Sequence, residues 1–408
     1  MAPFKSNRLS AGVSRSGRER KAQLSPDAER LLASALGLAN SGSRLEDAYW
    51  QQLLVKRIEH LLDTNHPQAI YDALDRTHLT DLEAYGALIE MVEHCAETVV
   101  VEYEGQMWQC LLVSAPLVAW TRFGIAAGRL PASNATALSA HWQAHCLANR
   151  VRFCMVPWLY SIDQLPRDFA ELRKLTRRLG VAALKSQDPR LDFSSFPETA
   201  DMLADSRFIL AGVAAPLGQA LLRWQDIEAS DHATRVQCLE QWVAQGRPNL
   251  EPVMVGCGFE CLLPDAFHIN LRESDRRVRP YALRAAVHYL THALSIEAKQ
   301  LRANVAAFGQ DRLDEYRIGL SFNSEEEVSQ GVVWPMLGAE SETDDPNPLD
   351  QIKQQLHELG VTDIRVHPGC SEPEFCDDCG SPLYPNGDGE VVHAEMPEDS
   401  EPNPGHFH

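Results

Sequence analysis

Apolar residues in the first quarter of the chain recur with a helical period. Leu45, Tyr49, Leu53, Leu54, Ile58, Leu61 and Leu62 follow a 3.6-residue repeat. Helix starts are written beside it. Ser25 precedes Pro26 at a first helical position, and Asp27 and Glu29 suit the positive end of the helix. Ser43-Arg-Leu-Glu46 and Thr80-Asp-Leu-Glu83 both fit a capping box, in which a hydroxyl and a carboxylate satisfy each other's exposed backbone donors. Together these signals predict four helices over 24–96.

After residue 97 the period changes. Thr98–Tyr103 and Trp108–Val113 are β-rich runs separated by Glu104-Gly105, which predicts a hairpin. Helices are expected over Ala135–Ala148, over Pro166–Leu179 with Gly180 as its cap, over Arg235–Ala244 ending at Gly246, over Tyr281–Arg302 and over Leu349–Leu359. Strands are expected at Val151–Val156, Phe208–Val213, Val253–Val255, Ala266–Leu271, Tyr316–Phe322, Gly331–Leu337 and Val361–Val366. Hairpins interrupt the alternation, so the pattern favours an α+β fold over a doubly wound parallel sheet. The expected architecture is a helical N-terminal module, a mixed β-sheet body with helices flanking one face, and a small C-terminal zinc-ribbon-like hairpin. In segments, this reads as a basic arm (1–23), the helical module (24–96), two α/β units (97–206 and 207–338), an acidic linker with a helix and a strand (339–369), a knuckle (370–395) and an acidic tail (396–408). Residues 97–180 and 207–303 share a strand–helix–strand order without a residue-level repeat.

Charge refines this division. The formal net charge of −20 looks hostile to polyanions, yet 20 acidic and two basic residues lie between Asn323 and His408. The remainder is nearly neutral, and the first 22 residues carry a local +5. A 44% apolar content excludes a disordered or fibrous chain. No run approaches the roughly 20 uncharged apolar residues that a membrane span needs. Ten cysteines, seven of them in apolar segments, fit buried reduced thiols in a cytoplasmic protein better than a disulfide scaffold.

The strongest chemical signal is His367-Pro-Gly-Cys370 followed by Cys376-Asp-Asp-Cys379-Gly. A Cys-x-x-Cys pair closed by glycine aims two thiolates at one point, as tetrahedral zinc requires. Asn386-Gly-Asp-Gly389 is a turn that should pair Pro382–Tyr384 with Val391–His393 and return His393 to Cys379. The expected ligands of a structural zinc are therefore Cys370, Cys376, Cys379 and His393, with His367 competing for the fourth place. Thiol redox chemistry is disfavoured, because Asp377 and Asp378 should raise the thiol pKa.

A second signal is Arg272-Glu-Ser-Asp-Arg-Arg277-Val-Arg279-Pro280. If Pro280 opens a helix, Arg276, Arg277 and Arg279, with Arg284 one turn on, form an anion site at its N-terminus. Ion pairs with Glu273, Asp275 or the acidic tail are the plainer reading. Arg173, Lys174, Arg177 and Arg178 form another basic face, more simply a solvated helix side. The pairs His141/His145 and His288/His292 have chelating spacing but lack the glutamate of a metalloprotease motif. Cys257 with His268 and Asp265 is a weak triad, better read as packing thiol and buried polar groups.

The stretches Leu24-Ser-Pro-Asp-Ala-Glu-Arg30, Gly42-Ser-Arg-Leu-Glu-Asp47, Tyr160-Ser-Ile-Asp-Gln-Leu-Pro-Arg167 and Cys376-Asp-Asp-Cys379-Gly-Ser-Pro-Leu resemble an uncharacterised bacterial family of about 400 residues, classed as a domain of unknown function. The resemblance implies a cytosolic bacterial protein and brings no activity, cofactor or catalytic residue. The leading expectation is a non-enzymatic regulatory or adaptor protein that binds a protein or an anionic ligand. Nucleic acid, met by the basic arm, is a less favoured partner. The rival is a phosphoryl- or acyl-group enzyme with a pocket over 265–292 that uses Arg276, Arg279, His288 and Asp265. The sequence does not decide whether the protein is an enzyme.

Overall fold

A computed structural model describes residues 24–396, except 200–201, 231, 311, 323–326, 339 and 341–346. The basic arm and the tail beyond 396 lie outside the described residues. The chain is α+β. It begins with α1 (Pro26–Ala39), α2 (Arg44–Asp63), α3 (Gln68–Thr80) and α4 (Leu82–Glu97). Ser25 and Ser43 cap α1 and α2 through their hydroxyls, while Glu46 returns its carboxylate to Gly42 N, one residue before the expected partner. Asp81, not Thr80, caps α4, because Thr80 completes α3 and its hydroxyl is bonded to Arg76 O. The apolar repeat of α2 divides between two faces: Leu54, Ile58, Leu61 and Leu62 are buried, whereas Leu45, Tyr49 and Leu53 face outward.

The main sheet contains β1 (Thr98–Tyr103), β2 (Gln106–Trp120), β3 (Gly128–Arg129), β4 (Arg152–Ser161), β5 (Ala204–Pro216), β6 (Gly258–Cys261) and β7 (Asp265–Ala266), with α5 (Ala132–Cys146), α6 (Phe169–Lys185) and α7 (Arg235–Leu250) between them. Its order is β1-β2-β5-β4-β3, with β6 and β7 also on β2. Every pairing in it is antiparallel. The expectation of helices on one face is corrected. Leu112, Phe208 and Leu210 face α6 and the helical module, whereas Val113, Ala115, Ile209 and Ala211 face α5 and α7. β2 and β5 therefore read as long, mostly apolar runs without alternation over Cys110–Trp120 and Phe208–Pro216, as strands covered on both sides do.

The topology repeats about a local two-fold between β2 and β5. β2 leads through α5 to β4, which pairs with β5; β5 leads through α7 to β6 and β7, which pair with β2. Both returning strands break register at a proline. Pairing slips between Met155 and Leu159 around Pro157, and between Cys261 and Asp265 around Pro264. Trp142 of α5 meets Trp242 of α7 near the axis, their ring centroids 5.7 Å apart.

α8 (Phe267–Ala293) spans both sheets: its first half packs on β2, and its second half carries Val278, Leu283, Val287 and Leu290 into a separate core. That core lies under a second sheet of β8 (Leu301–Phe308), β9 (Glu315–Phe322), β10 (Gln330–Pro335) and β11 (Asp363–Ser371), with α9 (Pro348–Glu358) beside it. The order is β10-β9-β8-β11, and only β11 runs parallel to its neighbour. β12 (Tyr384–Pro385) and β13 (Val391–Val392) form a separate hairpin. Several expected elements differ. Val253–Val255 is not a strand, Ala266–Leu271 is mostly the start of α8, and the strand β8 begins at Leu301, where a helix was expected to continue to Arg302. No helix among the described residues is long and apolar enough to cross a membrane.

Candidate metal centre

The knuckle is built by short-range turns. Phe375 bridges to Pro382, Cys376 N donates to Ser381 O at 2.8 Å, and Gly380 N donates to Cys376 O at 2.8 Å. Gly380 has φ +72°, which an L side chain would strain, so the glycine after the second cysteine closes the loop. Downstream, the Asn386 amide oxygen accepts from Asp388 N and Glu390 N at 3.0 and 2.9 Å, bending the chain through Gly389 at φ +86°. Tyr384 then pairs with Val392, which returns His393 to the knuckle as its spacing predicts.

The result is a cluster of three donors. Cys376 Sγ, Cys379 Sγ and a His393 ring nitrogen all lie within 4.8 Å of one another. Cys379 Sγ is 3.3 Å from His393 Nε2 and 3.2 Å from Ser381 Oγ. The other ring nitrogen of His393 is 3.4 Å from a carboxylate oxygen of the solvent-exposed Glu395. Hydrogen bonds from the Ser381 hydroxyl and backbone, supported by His393 and Cys376, bring the Cys379 thiol down to about 6. The expected rise from Asp377 and Asp378 is thus corrected: direct donors to sulfur outweigh two solvated carboxylates. A thiolate at neutral pH is the form that binds metal.

Cys370 does not join the cluster. It sits on β11 opposite Ala307, with Sγ 3.8 Å from Gly309 O. His367 is also elsewhere, its Nδ1 packed 2.9 Å from where a Cβ on Gly389 would stand. Of the four expected ligands, the fold gathers Cys376, Cys379 and His393.

A model for a protein of unknown function, DUF2863, matches residues 16–407. The chain belongs to the DUF2863 family. No curated protein matches it, and no solved structure does.

The arginine site expected in this DUF2863 chain loses its premise, because Pro280 lies inside α8 and the arginines are mid-helix. Arg276 and Arg277 pair with Glu273, and Arg284 lies 5.8 Å from the centroid of the Tyr281 ring. Arg279 is buried: both its Nη atoms bond the Glu340 carboxylate at 2.7 and 3.0 Å, and its guanidinium lies over Trp334. The rival pocket is dispersed as well. Asp265 and His288 stand 23 residues apart across α8, roughly 34 Å at 1.5 Å per residue. Asp265 is instead paired with Arg235 at 2.6 Å. Cys257 does not reach that carboxylate either: Gly258 and Asp265 pair with Trp120 and Ser114, about 20 Å apart along β2. His141 and His145 do stack, with ring centroids 6.0 Å apart, whereas His288 and His292 are solvent-facing. In the second basic face Arg173 is buried, bonded to Asp63, to Glu59 and to the Cys95 and Thr98 carbonyls; it joins α6 to α2 and α4.

One residue with a part in the knuckle carries no sequence signal. Arg317, on β9, is wholly buried. Its Nε donates to a Glu315 carboxylate oxygen at 2.6 Å, and Nη1 donates to the carbonyls of Glu374 and Leu383 at 2.5 and 2.7 Å. Its hydrogen-bond partners in the knuckle are backbone atoms, which have no identity to read in a sequence.

Proposed function

We propose that this protein is a non-enzymatic regulatory or adaptor protein of the bacterial cytoplasm. In this reading its C-terminal knuckle holds one Zn2+ on Cys376, Cys379 and His393. The observation that carries the metal reading is the convergence of two thiols and an imidazole within 4.8 Å, a soft and borderline donor set that fills three of the four positions of tetrahedral zinc. The adaptor part is supported by the separation of Asp265, in β7, from Arg279 and His288, along α8, and by the closure of Arg279 on Glu340. The partner is a protein or an anionic ligand, and Arg276, Arg277 and Arg284 are the solvent-facing arginines that would meet it.

Elemental analysis of the purified chain is expected to give about one zinc per molecule. A Cys376→Ser/Cys379→Ser variant should lose the metal while its body keeps a cooperative unfolding transition. A wild-type chain that takes up no zinc at micromolar free ion overturns the metal reading. On the anionic side, Arg276→Glu with Arg277→Glu and Arg284→Glu should elute from heparin at lower salt, since each lost contact reduces counterion release. Unchanged elution removes this face of α8 from the binding surface.

A further inference from the structure

We propose that Arg317 is the positioning residue of the metal centre, assembling the three donors before an ion arrives. The inference rests on the metal reading above but concerns how the site is built. Glu374 and Leu383 are the stem of the knuckle: Leu383 N donates to Glu374 O at 3.1 Å. Arg317 Nη1 bonds the carbonyls of both, so a single guanidinium group grips the two sides of the loop at its base. The first ligand, Cys376, follows two residues later. Between them stands Phe375, whose ring centroid is 4.9 Å from the Arg317 guanidinium, with Phe308 at 4.7 Å. The charge is held by the buried Glu315 and by two rings, Phe308 from the sheet and the half-exposed Phe375 from the knuckle. Burial of the guanidinium strengthens its hydrogen bonds over those in water.

The third donor is fixed from the same sheet. A Cβ on Gly331 would stand 2.2 Å from the Tyr384 ring, and one on Gly319 would stand 2.2 Å from Pro385 O. Two glycines on adjacent strands thus make a floor on which β12 rests. β12 carries β13, and β13 leads directly to His393. Beyond the histidine, Glu395 N donates to Val328 O at 2.8 Å, which ties down the far end. The cysteines and the histidine are therefore each held through β9, β10 or the loop between them by contacts of the protein itself. Small zinc modules usually fold only around their ion; this geometry makes the knuckle a docked part of the body.

Zn2+ affinity of the full-length chain, measured by competition with a chromophoric chelator, tests the proposal. Arg317→Met should weaken affinity 10- to 100-fold, the usual scale for removing an outer partner of a metal site. Arg173→Met breaks another buried arginine–carboxylate site, between α6 and α2 rather than on the second sheet. It should lower thermal stability and leave zinc affinity unchanged. Equal affinity in wild type and Arg317→Met overturns the proposal, as does an equal loss in both variants. If Arg317→Met does not fold, Arg317→Lys decides on the same readout, because an ammonium group keeps the charge but lacks the planar fork. Hydrogen exchange on the metal-free wild type supplies the independent arm. Protected amides at Cys376, Gly380 and Leu383 are expected, and free exchange there shows that the ion, not Arg317, builds the loop. Should the wild type bind no zinc, the metal reading fails while this exchange result still judges the latch.

Discussion

Gly212→Val is expected to abolish cooperative folding, and Gly212→Ala to cost about 3 kcal/mol, the upper range for overpacking a close-packed core. Gly212 lies in β5 with its missing side chain aimed at α6. A Cβ there would stand 2.5 Å from the Leu179 carbonyl carbon and 2.6 Å from the Leu179 Cβ. The obstacle is mostly helix backbone, which cannot rotate away as a side-chain end can. Nor can α6 retreat freely. One residue on, Gly180 presses on β2, where a Cβ would meet the Cys110 Cβ at 2.6 Å. On its outer side Arg173 and Thr176 bind α6 to the carbonyls of Cys95, Thr98 and Ala96. Shifting the helix by the ångström or so that one methyl needs would break these bonds, and domains of this kind hold only about 5–15 kcal/mol in total. Urea titration of wild type and Gly212→Ala checks the figure, and a difference below about 1 kcal/mol would mean that α6 has room to move.

Gly180 also illustrates where the sequence misleads. A glycine at the end of an apolar periodic segment reads as a left-handed helix cap, and both Gly180 and Gly246 invite that reading. In the fold both lie within helices, and their role is close approach, to Cys110 in one case and to Trp242 in the other. The two uses of glycine, permissive backbone and absent bulk, are indistinguishable without the neighbour. Pro280 is similar: it suits a helix start, yet α8 continues through it because packing on two sheets outweighs one lost backbone bond. The N-terminal helices and the β1–β2 hairpin were legible because caps and turns act over three or four residues. The two-fold body was legible only as a shared strand–helix–strand order over 97–180 and 207–303, since β2 and β5 are buried on both faces and lack the alternation that would fix their extent and pairing. The metal cluster divides along the same line. The Asn386–Gly389 turn announces the return of His393, whereas Cys370, near in sequence, is carried off by its parallel pairing with β8.

The stability that Glu97 contributes should fall as pH rises from about 4.5 to about 7. Asp275 acts in the same direction, and the neutral His268 acts against it, its contribution rising over part of that range. Glu97 is the last residue of α4, where the negative end of the helix already disfavours an anion. Its carboxylate reaches the start of α8 and accepts from His268 N at 2.9 Å, serving as the cap that Ala266 cannot provide. Burial pushes this carboxyl up to about 7, with Glu93 and Asp265 reinforcing the rise, and the His268 N–H and Arg272 opposing it. The other groups facing it do not supply a counter-charge. Burial drives His268 down to about 3, so it is neutral, and Arg272 is engaged with Glu93 while Arg235 is engaged with Asp265. In the unfolded chain Glu97 ionises near its ordinary value of 4.5. Between these two values the folded state holds a proton that the unfolded state has lost, so deprotonation pulls toward unfolding until the folded group also ionises. A shift of this size corresponds to roughly 3 kcal/mol, at 1.36 kcal/mol per unit. Glu97→Gln keeps an acceptor for His268 N without the charge. The variant should match wild type near pH 4 and exceed it by roughly 3 kcal/mol at pH 8, read from denaturant midpoints at each pH. An identical difference at both pH values would show that Glu97 carries its charge in the fold without penalty, and that α4 and α8 meet through a solvated joint.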